Sequence, residues 1–270
     1  MRAVLYVVVR MNPLFIGFVF LFSVQSVASE MVEIPGGIFL MGAKDYTQGG
    51  VGAEDESPEH DVSLTRFWMD QFPVTNSEYE VCVKAGICQP PRNVSTPTRK
   101  IYYGNSEFGK YPVVWARWGD ARAYCKFVGK DLPTEAQWEK AARGTDARSY
   151  PWGEDMDASY ANFQRKDVVG DTVEIGHYPK NVSPYGVYDM AGNILQWVRD
   201  WYNFDYYRET YQPFPVLNPY NGTPVSENSR VQALRGGSYR FLPNFLRTSA
   251  RFGLFENVTF PSVGFRCAKE

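Results

Sequence analysis

Residues 185–202 read YGVYDMAGNILQWVRDWY, a cluster of turn residues and side-chain oxygens that runs straight into an aromatic, strand-like segment. Asp189, Gly192 and Asn193 are residue types that bend the backbone and turn carbonyls toward one point. Ile194, Leu195, Trp197, Val198 and Trp201 demand burial. Together they describe a tight oxygen-lined loop anchored to a core, where a hard cation such as calcium finds carboxylate, amide and main-chain oxygens. An Asx-rich turn ahead of a buried strand explains the same residues, and local composition alone favours that plainer reading.

Outward from this stretch, 270 residues with 44% hydrophobic and 16% aromatic content suffice to bury a full core as one large domain. A formal net charge of -2 and the lack of Lys/Arg runs leave no electrostatic footprint for nucleic acid. The 23 Gly and 18 Pro follow no period, which points to a loop-rich globular fold rather than repeats or disorder.

At the start, Arg2 and Arg10 flank an apolar stretch, and Met11 to Val24 (MNPLFIGFVFLFSV) runs into the small residues Ser26, Ala28 and Ser29. Residues 1–29 therefore read as a signal peptide and 30–270 as the domain. An uncleaved anchor is the alternative, although the run is short for a spanning helix. Both place the domain outside the cytoplasm, periplasmic or secreted, with no membrane contact beyond the export signal. No Cys follows the apolar segment to carry a lipid.

The next segments alternate short strands with loops: Val32 to Ile34, Ile38 to Met41 and Val62 to Met69. Three helices are predicted. Asn76 to Ala85 starts with capping-box spacing at Thr75 and Glu78, Trp118 to Val128 is closed by Gly129, and Thr134 to Arg143 carries a second box with Gln137 and stops at Gly144. Beyond Gly144 helical periodicity fades into turns, short strands and long loops.

With GGIFLMG at Gly36 to Gly42, LPTEAQWEKAARG at Leu132 to Gly144, YPWGED at Tyr150 to Asp155, RGGSY at Arg235 to Tyr239 and GFRCA at Gly264 to Ala268, the chain resembles the formylglycine-generating enzyme (sulfatase-modifying factor) family over nearly its whole length after residue 30. The resemblance implies an α+β fold, C-type-lectin-like, of low regular secondary structure.

It also bears on the cysteines and on metals. An even number of Cys in an exported chain favours disulfides. Cys125 and Cys267 match positions that are joined in relatives, and Cys82 pairs with Cys88 across a loop where Gly86 lets the chain double back. In relatives one calcium site uses positions that map onto Asn162, Phe163, Asp167 and Val169, and a second maps onto Asp189, Gly192, Ile194 and Gln196. Where the family usually has Glu, Gln196 keeps an amide oxygen but loses a charge, so the second site is expected to be weaker. His60 and His177 are read as a strand-start cap and a loop residue rather than as ligands.

In active copper-dependent members two cysteines follow the GGS motif, one three residues after the Ser and the other five further on; here those positions hold Phe241 and Leu246. Neither side chain binds Cu(I) or forms a redox linkage, so copper is not expected. Ser238, Tyr239, Arg247 and Arg251 are the polar candidates for the same pocket, with loop bracing as the alternative role of the two arginines. The resemblance thus implies a calcium-stabilised binding or accessory module for a protein, peptide or small-molecule ligand, without formylglycine-generating activity. The alternative is a periplasmic tailoring oxidoreductase of the siderophore-chromophore maturation type with a non-copper pocket. Four Asn-x-Ser/Thr triplets, at Asn93, Asn181, Asn221 and Asn257, would matter only in a eukaryotic secretory pathway.

Overall fold

The structure, a computed structural model, describes residues 29–44, 53–166 and 169–270. The signal-peptide expectation and Asp167 fall outside the described residues. Among the described residues no helix is long and apolar enough to cross a membrane. In chain order the elements are β1 (Met31–Ile34), β2 (Gly37–Met41), β3 (His60–Leu64), β4 (Phe67–Asp70), α1 (Asn76–Lys84), α2 (Trp118–Phe127), α3 (Glu135–Arg143), β5 (Leu195–Trp201), α4 (Tyr206–Thr210), β6 (Val216–Leu217), β7 (Val231–Arg235), β8 (Arg251–Phe255), β9 (Val263–Phe265) and β10 (Ala268–Lys269). They form sheets ordered β1-β4-β10, β2-β3-β6 and β8-β7-β5-β9, an α+β arrangement joined by long irregular segments.

Both predicted capping boxes are present: Thr75 and Glu78 exchange hydrogen bonds at the start of α1, and Thr134 and Gln137 do so at the start of α3. Each satisfies two backbone N–H groups that the first helical turn leaves unpaired. The single strand expected over Val62 to Met69 is two strands. Thr65 and Arg66 are adjacent, polar and exposed, which interrupts the alternation of buried and exposed residues. The chain leaves one sheet there, so β3 pairs with β2 (Ile38 opposite Ser63) while β4 pairs with β1 (Val32 opposite Met69).

The four-stranded sheet is covered on both faces. On one side α3 packs Ala136, Trp138 and Ala142 against Val198 and Ala233. On the other, Trp197, Leu234 and Phe265 meet Tyr79 and Tyr124 from α1 and α2. Disulfides Cys82–Cys88 and Cys125–Cys267 lie in this second cluster, and the latter closes a loop across 142 residues.

Helix α3 buries all nine of its residues, including Glu135, Glu139, Lys140 and Arg143. Arg251 grips Glu135 through Nε (2.9 Å) and Nη2 (2.8 Å), and Arg235 reaches Glu135 Oε1 (3.1 Å), Glu139 and the Thr248 carbonyl (2.6 Å). Arg143 bonds Glu139 (2.7 Å) and the Gly42 carbonyl (2.6 Å). These contacts join α3 to β2, β7, β8 and the loops between them. Asp200 accepts from the Glu135 N–H (2.9 Å) and the Asn221 N–H (3.0 Å). Burial, with Glu135 beside it, pushes the Asp200 carboxyl up to about 7.

Arg266, fully buried, ties β4, the 188–189 turn and β5 together. Its Nε donates to Gln196 Oε1 (2.7 Å), Nη1 to the carbonyls of Asp70 (3.1 Å) and Gln71 (3.2 Å), and Nη2 to those of Tyr188 (2.7 Å) and Asp189 (3.0 Å). All the N–H groups of the guanidinium are thereby matched. Burial still pulls its pKa down to about 10, against the opposing pull of Asp189 and Asp70.

Two outcomes are expected in urea unfolding. Arg266→Met strands several buried acceptors and lowers stability by about 3 kcal/mol or more, and Arg266→Lys, lacking the planar fork, restores little of it. Replacing Cys125 and Cys267 together by Ala lowers stability by about 4 to 5 kcal/mol in the chain-entropy description, with a smaller loss for the Cys82–Cys88 pair.

Candidate functional site

Three residues with positive φ shape the opening loop: Asp189 (54°), Gly192 (79°) and Asn193 (63°). Gly192 is required there, since a Cβ would lie 2.5 Å from the Asn162 carbonyl oxygen. Asn193 then clasps the 162–173 segment: its N–H donates to Asn162 O (2.8 Å), its Oδ1 accepts from Val173 N–H (3.0 Å) and its Nδ2 donates to Val173 O (3.2 Å). The Asx-turn reading and the oxygen-rich loop describe the same structure.

In the second calcium set several of the oxygens already accept hydrogen bonds. Gln196 Oε1 already accepts from Trp138 Nε1 (3.0 Å) and Arg266 Nε (2.7 Å), and Gln196 Nε2 donates to Asp189 O (2.8 Å). Asp189 Oδ2 accepts from Gly176 N–H (2.7 Å), and Gly192 O accepts from Ile194 N–H (2.8 Å). Burial pushes the Asp189 carboxyl up to about 6. Arg266 brings a positive charge beside Gln196 Oε1 and the Asp189 carbonyl. In the first set, Asn162 commits Nδ2 to Asp171 O (2.8 Å) and Asn193 Oδ1 (3.3 Å), which leaves its Oδ1 as the available end. Phe163 is half-buried and Val169 exposed. Among the described residues no group of three or more His, Cys, Asp and Glu is placed to hold a metal. His60 opens β3 with Nδ1 2.8 Å from Pro58 O, and His177 lies exposed in a loop beside Tyr178.

The RGGSY segment continues from β7 through Gly236 and Gly237, both with positive φ. A turn follows, in which the Phe241 N–H donates to Ser238 O (3.0 Å) and the Arg240 N–H to Ser238 Oγ (3.3 Å). Ser238 and Tyr239 are buried, and the Tyr239 hydroxyl donates to Pro261 O (3.4 Å). Leu246 is completely buried among Tyr150, Ala161 and Ala191, and Phe241 packs against Phe252 with ring centroids 5.0 Å apart. All four cysteines are spent in disulfides, so no thiol lies at or near these positions. Arg247 and Arg251 are buried in ion pairs: Arg247 forms a two-point pair with buried Glu56 (Nη2 to Oε1, 2.7 Å), and Arg251 forms its own with Glu135. They brace the loop, the second of the two roles open to them from the sequence.

What the segment does present is a trough. Phe241, Phe252, Leu254, Leu195, Leu234 and Val263 line an apolar groove of about 360 Å³ across the face of the four-stranded sheet, with Phe260 and Ser262 at its wall. A polar concavity of about 440 Å³ adjoins it, lined by Gln164, Arg165, Lys166, Gly170 and Tyr239. Arg240, exposed at the tip of the turn, belongs to both. Sequence reading left this groove unpredicted because its walls come from β5, β7, β8 and β9, which only the sheet order brings side by side. The run RFLPNF was its visible trace.

The family model of the sulfatase-modifying factor enzyme 1-like domain matches residues 21–270. The chain is 35% identical over 261 residues to a Chlamydia caviae protein named serine/threonine-protein kinase pkn1, covering 91% of this chain but 38% of that longer protein. It is 32% identical over 288 residues to the formylglycine-generating enzyme of Streptomyces coelicolor, covering 88% of each. Among solved structures it resembles PvdO from Pseudomonas aeruginosa with a TM-score of 0.72 and 27% identity, covering 90% of this chain and 95% of that one. With a family match over nearly its full length, and with the helices, sheets and GGS turn in place, the chain belongs to the sulfatase-modifying factor family.

Proposed function

We propose that this chain is an exported binding or accessory module that has kept the sulfatase-modifying-factor fold and does not generate formylglycine. One observation carries the reading. At the positions where the family resemblance puts the copper thiols stand Phe241 and Leu246, and every cysteine is oxidised. Oxidising a substrate thiol to an aldehyde on copper requires lone-pair donors that a phenyl ring and an isobutyl group lack. The engagement of Arg247 and the burial of the Tyr239 hydroxyl remove two further polar groups from the trough, while Phe241 lines it. That disposition favours ligand binding over a tailoring reaction. Two disulfides support an oxidising compartment, periplasmic or extracellular.

The reading includes one structural calcium ion at the first set, with Asn162 Oδ1, the carbonyls of Phe163 and Val169 and the carboxylate of Asp167 as ligands. The oxygen chemistry and the family spacing support it. The ion would pin the 162–169 segment beside the trough.

Two measurements check these statements. Purified protein incubated with copper, oxygen and a peptide bearing the sulfatase Cys-x-Pro-x-Arg motif is expected to give no aldehyde by mass spectrometry above copper alone; aldehyde formation above that background defeats the reading. Removal of calcium by chelation is expected to lower the melting temperature by roughly 5 °C when the ion had been present at about a hundred times its dissociation constant. An unchanged melting temperature, with no calcium found by metal analysis, ends the calcium assignment.

A further inference from the structure

Resting on the binding-module reading, we propose that β8 is a docking edge: a partner segment pairs with it as a further strand of the sheet and sets alternate apolar side chains into the mouth of the apolar groove. Two hydrogen bonds fix the phase of the ladder. The Glu256 N–H donates to Arg230 O (3.1 Å), one step beyond the β7–β8 pairing in which Leu254 stands opposite Gln232 and Phe252 opposite Leu234. Bonded pairs of an antiparallel ladder recur at every second residue. Phe252 and Leu254 therefore turn their N–H and C=O groups toward β7, and Gly253 and the Phe255 N–H face away from it. The far side of β7 agrees: Val231, opposite Phe255, spends its carbonyl on the Tyr202 N–H (2.8 Å) rather than on β8.

This edge is open where the opposite one is closed. Gly253 is exposed, and among the described residues neither its N–H nor its C=O has a hydrogen-bond partner. At the other end of the sheet, β9 spends the Phe265 carbonyl on the Val74 N–H (3.0 Å). Charged side chains, prolines and bulges are what keep edge strands from pairing, and β8 has none of them from Phe252 to Phe255. Nor can Gly253 carry a guarding side chain, since a Cβ there would lie 2.7 Å from Tyr202 Cδ1. The open edge and the groove are one surface, because Gly253 lines the groove together with Phe252 and Leu254. In an added strand, the residue bonded to Gly253 directs its side chain to the Tyr202 face, and its two neighbours stand opposite Phe252 and Leu254 on the groove face. Large apolar side chains at those two positions continue the hydrocarbon surface of Phe241, Phe252 and Phe260. A small apolar molecule would fill the groove and leave the Gly253 amide unmatched, whereas a polypeptide in extended form supplies both the hydrocarbon and the main-chain partners. Selection is by main chain and apolar alternation, with no part for charge.

The test measures fluorescence anisotropy of a labelled Ser-Phe-Thr-Val-Thr-Ser peptide with the full chain. Saturable binding is expected. N-methylation of both threonines, whose amides face β8, weakens it about tenfold or more, and N-methylation of the phenylalanine and valine, whose amides face away, changes it by less than about twofold. Replacing the phenylalanine and valine of the probe by serine, or Phe260→Ala in the protein, also weakens binding about tenfold. Phe255→Pro removes an outward N–H at a position where an edge strand tolerates proline, and it weakens binding with the melting temperature kept; should that variant not fold, the two methylation patterns decide alone. The proposal is overturned by no saturable binding, by equal effects of the two methylation patterns, by Phe260→Ala binding as wild type does, or by free toluene competing as strongly as the peptide. It is also overturned if the chain alone sediments as a dimer that Phe255→Pro dissolves, since a second copy is then the occupant. Failure here is separable from failure of the non-catalytic reading. Aldehyde formation defeats that reading whatever pairs with β8, and lack of peptide binding without aldehyde defeats this proposal alone.

Discussion

Arg235, fully buried at the end of β7 and stacked over Trp138, stands between Glu135 and Glu139 of α3. Taking these charges out of water costs several kcal/mol per ion, and only mutual pairing with good geometry offsets it. The members therefore depend on one another. Glu139 faces Arg143 as well as Arg235, and Glu135 faces Arg251 as well as Arg235, so removing either glutamate leaves an arginine buried without its carboxylate. Asp200, beside Glu135, avoids adding another anion by holding its proton toward neutral pH. The aliphatic cluster around α3 supplies the bulk of the burial. The arginine and glutamate pairs fix which way the helix sits on the sheet.

The same pairs position the trough. Arg235 holds the Thr248 carbonyl, Arg247 holds Glu56, and Arg251 holds Glu135 and the Asp55 carbonyl, so the 236–251 segment is anchored along its second half. Its first half is then free to make the turn at Ser238 that exposes Arg240. Arginines in such a segment invite reading as ligand contacts. Here the burial of Arg235, Arg247 and Arg251 makes them the frame behind the trough, and Arg240 is the arginine of the segment that stays exposed.

The sequence disclosed local structure well and charge placement poorly, for one physical reason. Capping boxes at Thr75 and Thr134 are short-range, so spacing alone carries them; both disulfides rested on the exported setting and the family resemblance, with Gly86 letting the chain double back between Cys82 and Cys88. In α3, by contrast, Glu139 and Arg143 at i,i+4 have the pattern of a solvated helix face, yet both are buried. Besides each other and Ala147, their partners are Leu40 and Gly42 at the end of β2 and Arg235 of β7, far away in sequence. Arg266 was missed similarly. GFRCA showed an arginine between a core phenylalanine and a disulfide cysteine, but only the fold shows that it bonds Gln196 and four main-chain carbonyls at once. Gln196, seen alone as a weakened metal ligand, is in the structure a neutral partner for that guanidinium and for the Trp138 indole.

The replacement of the expected thiol positions is likewise more than a change of two side chains. Leu246 is enclosed: a Cβ at Gly237 would lie 2.9 Å from its Cδ1, and one at Gly192 would lie 3.1 Å from its Cδ2. Two glycines with positive φ, both needed for the backbone path, are thus also close-packed against a branched aliphatic group. A cysteine at 246 would leave part of that volume empty, at a cost of about 1 to 3 kcal/mol, and its sulfur would still be buried behind Phe241. A cysteine at 241 would remove a ring that packs on Phe245 and Phe252 and would break the apolar groove. The residues around both positions are fitted to hydrocarbon. Where a copper centre needs polar, accessible donors, this fold has built a hydrophobic floor with Arg240 at its rim.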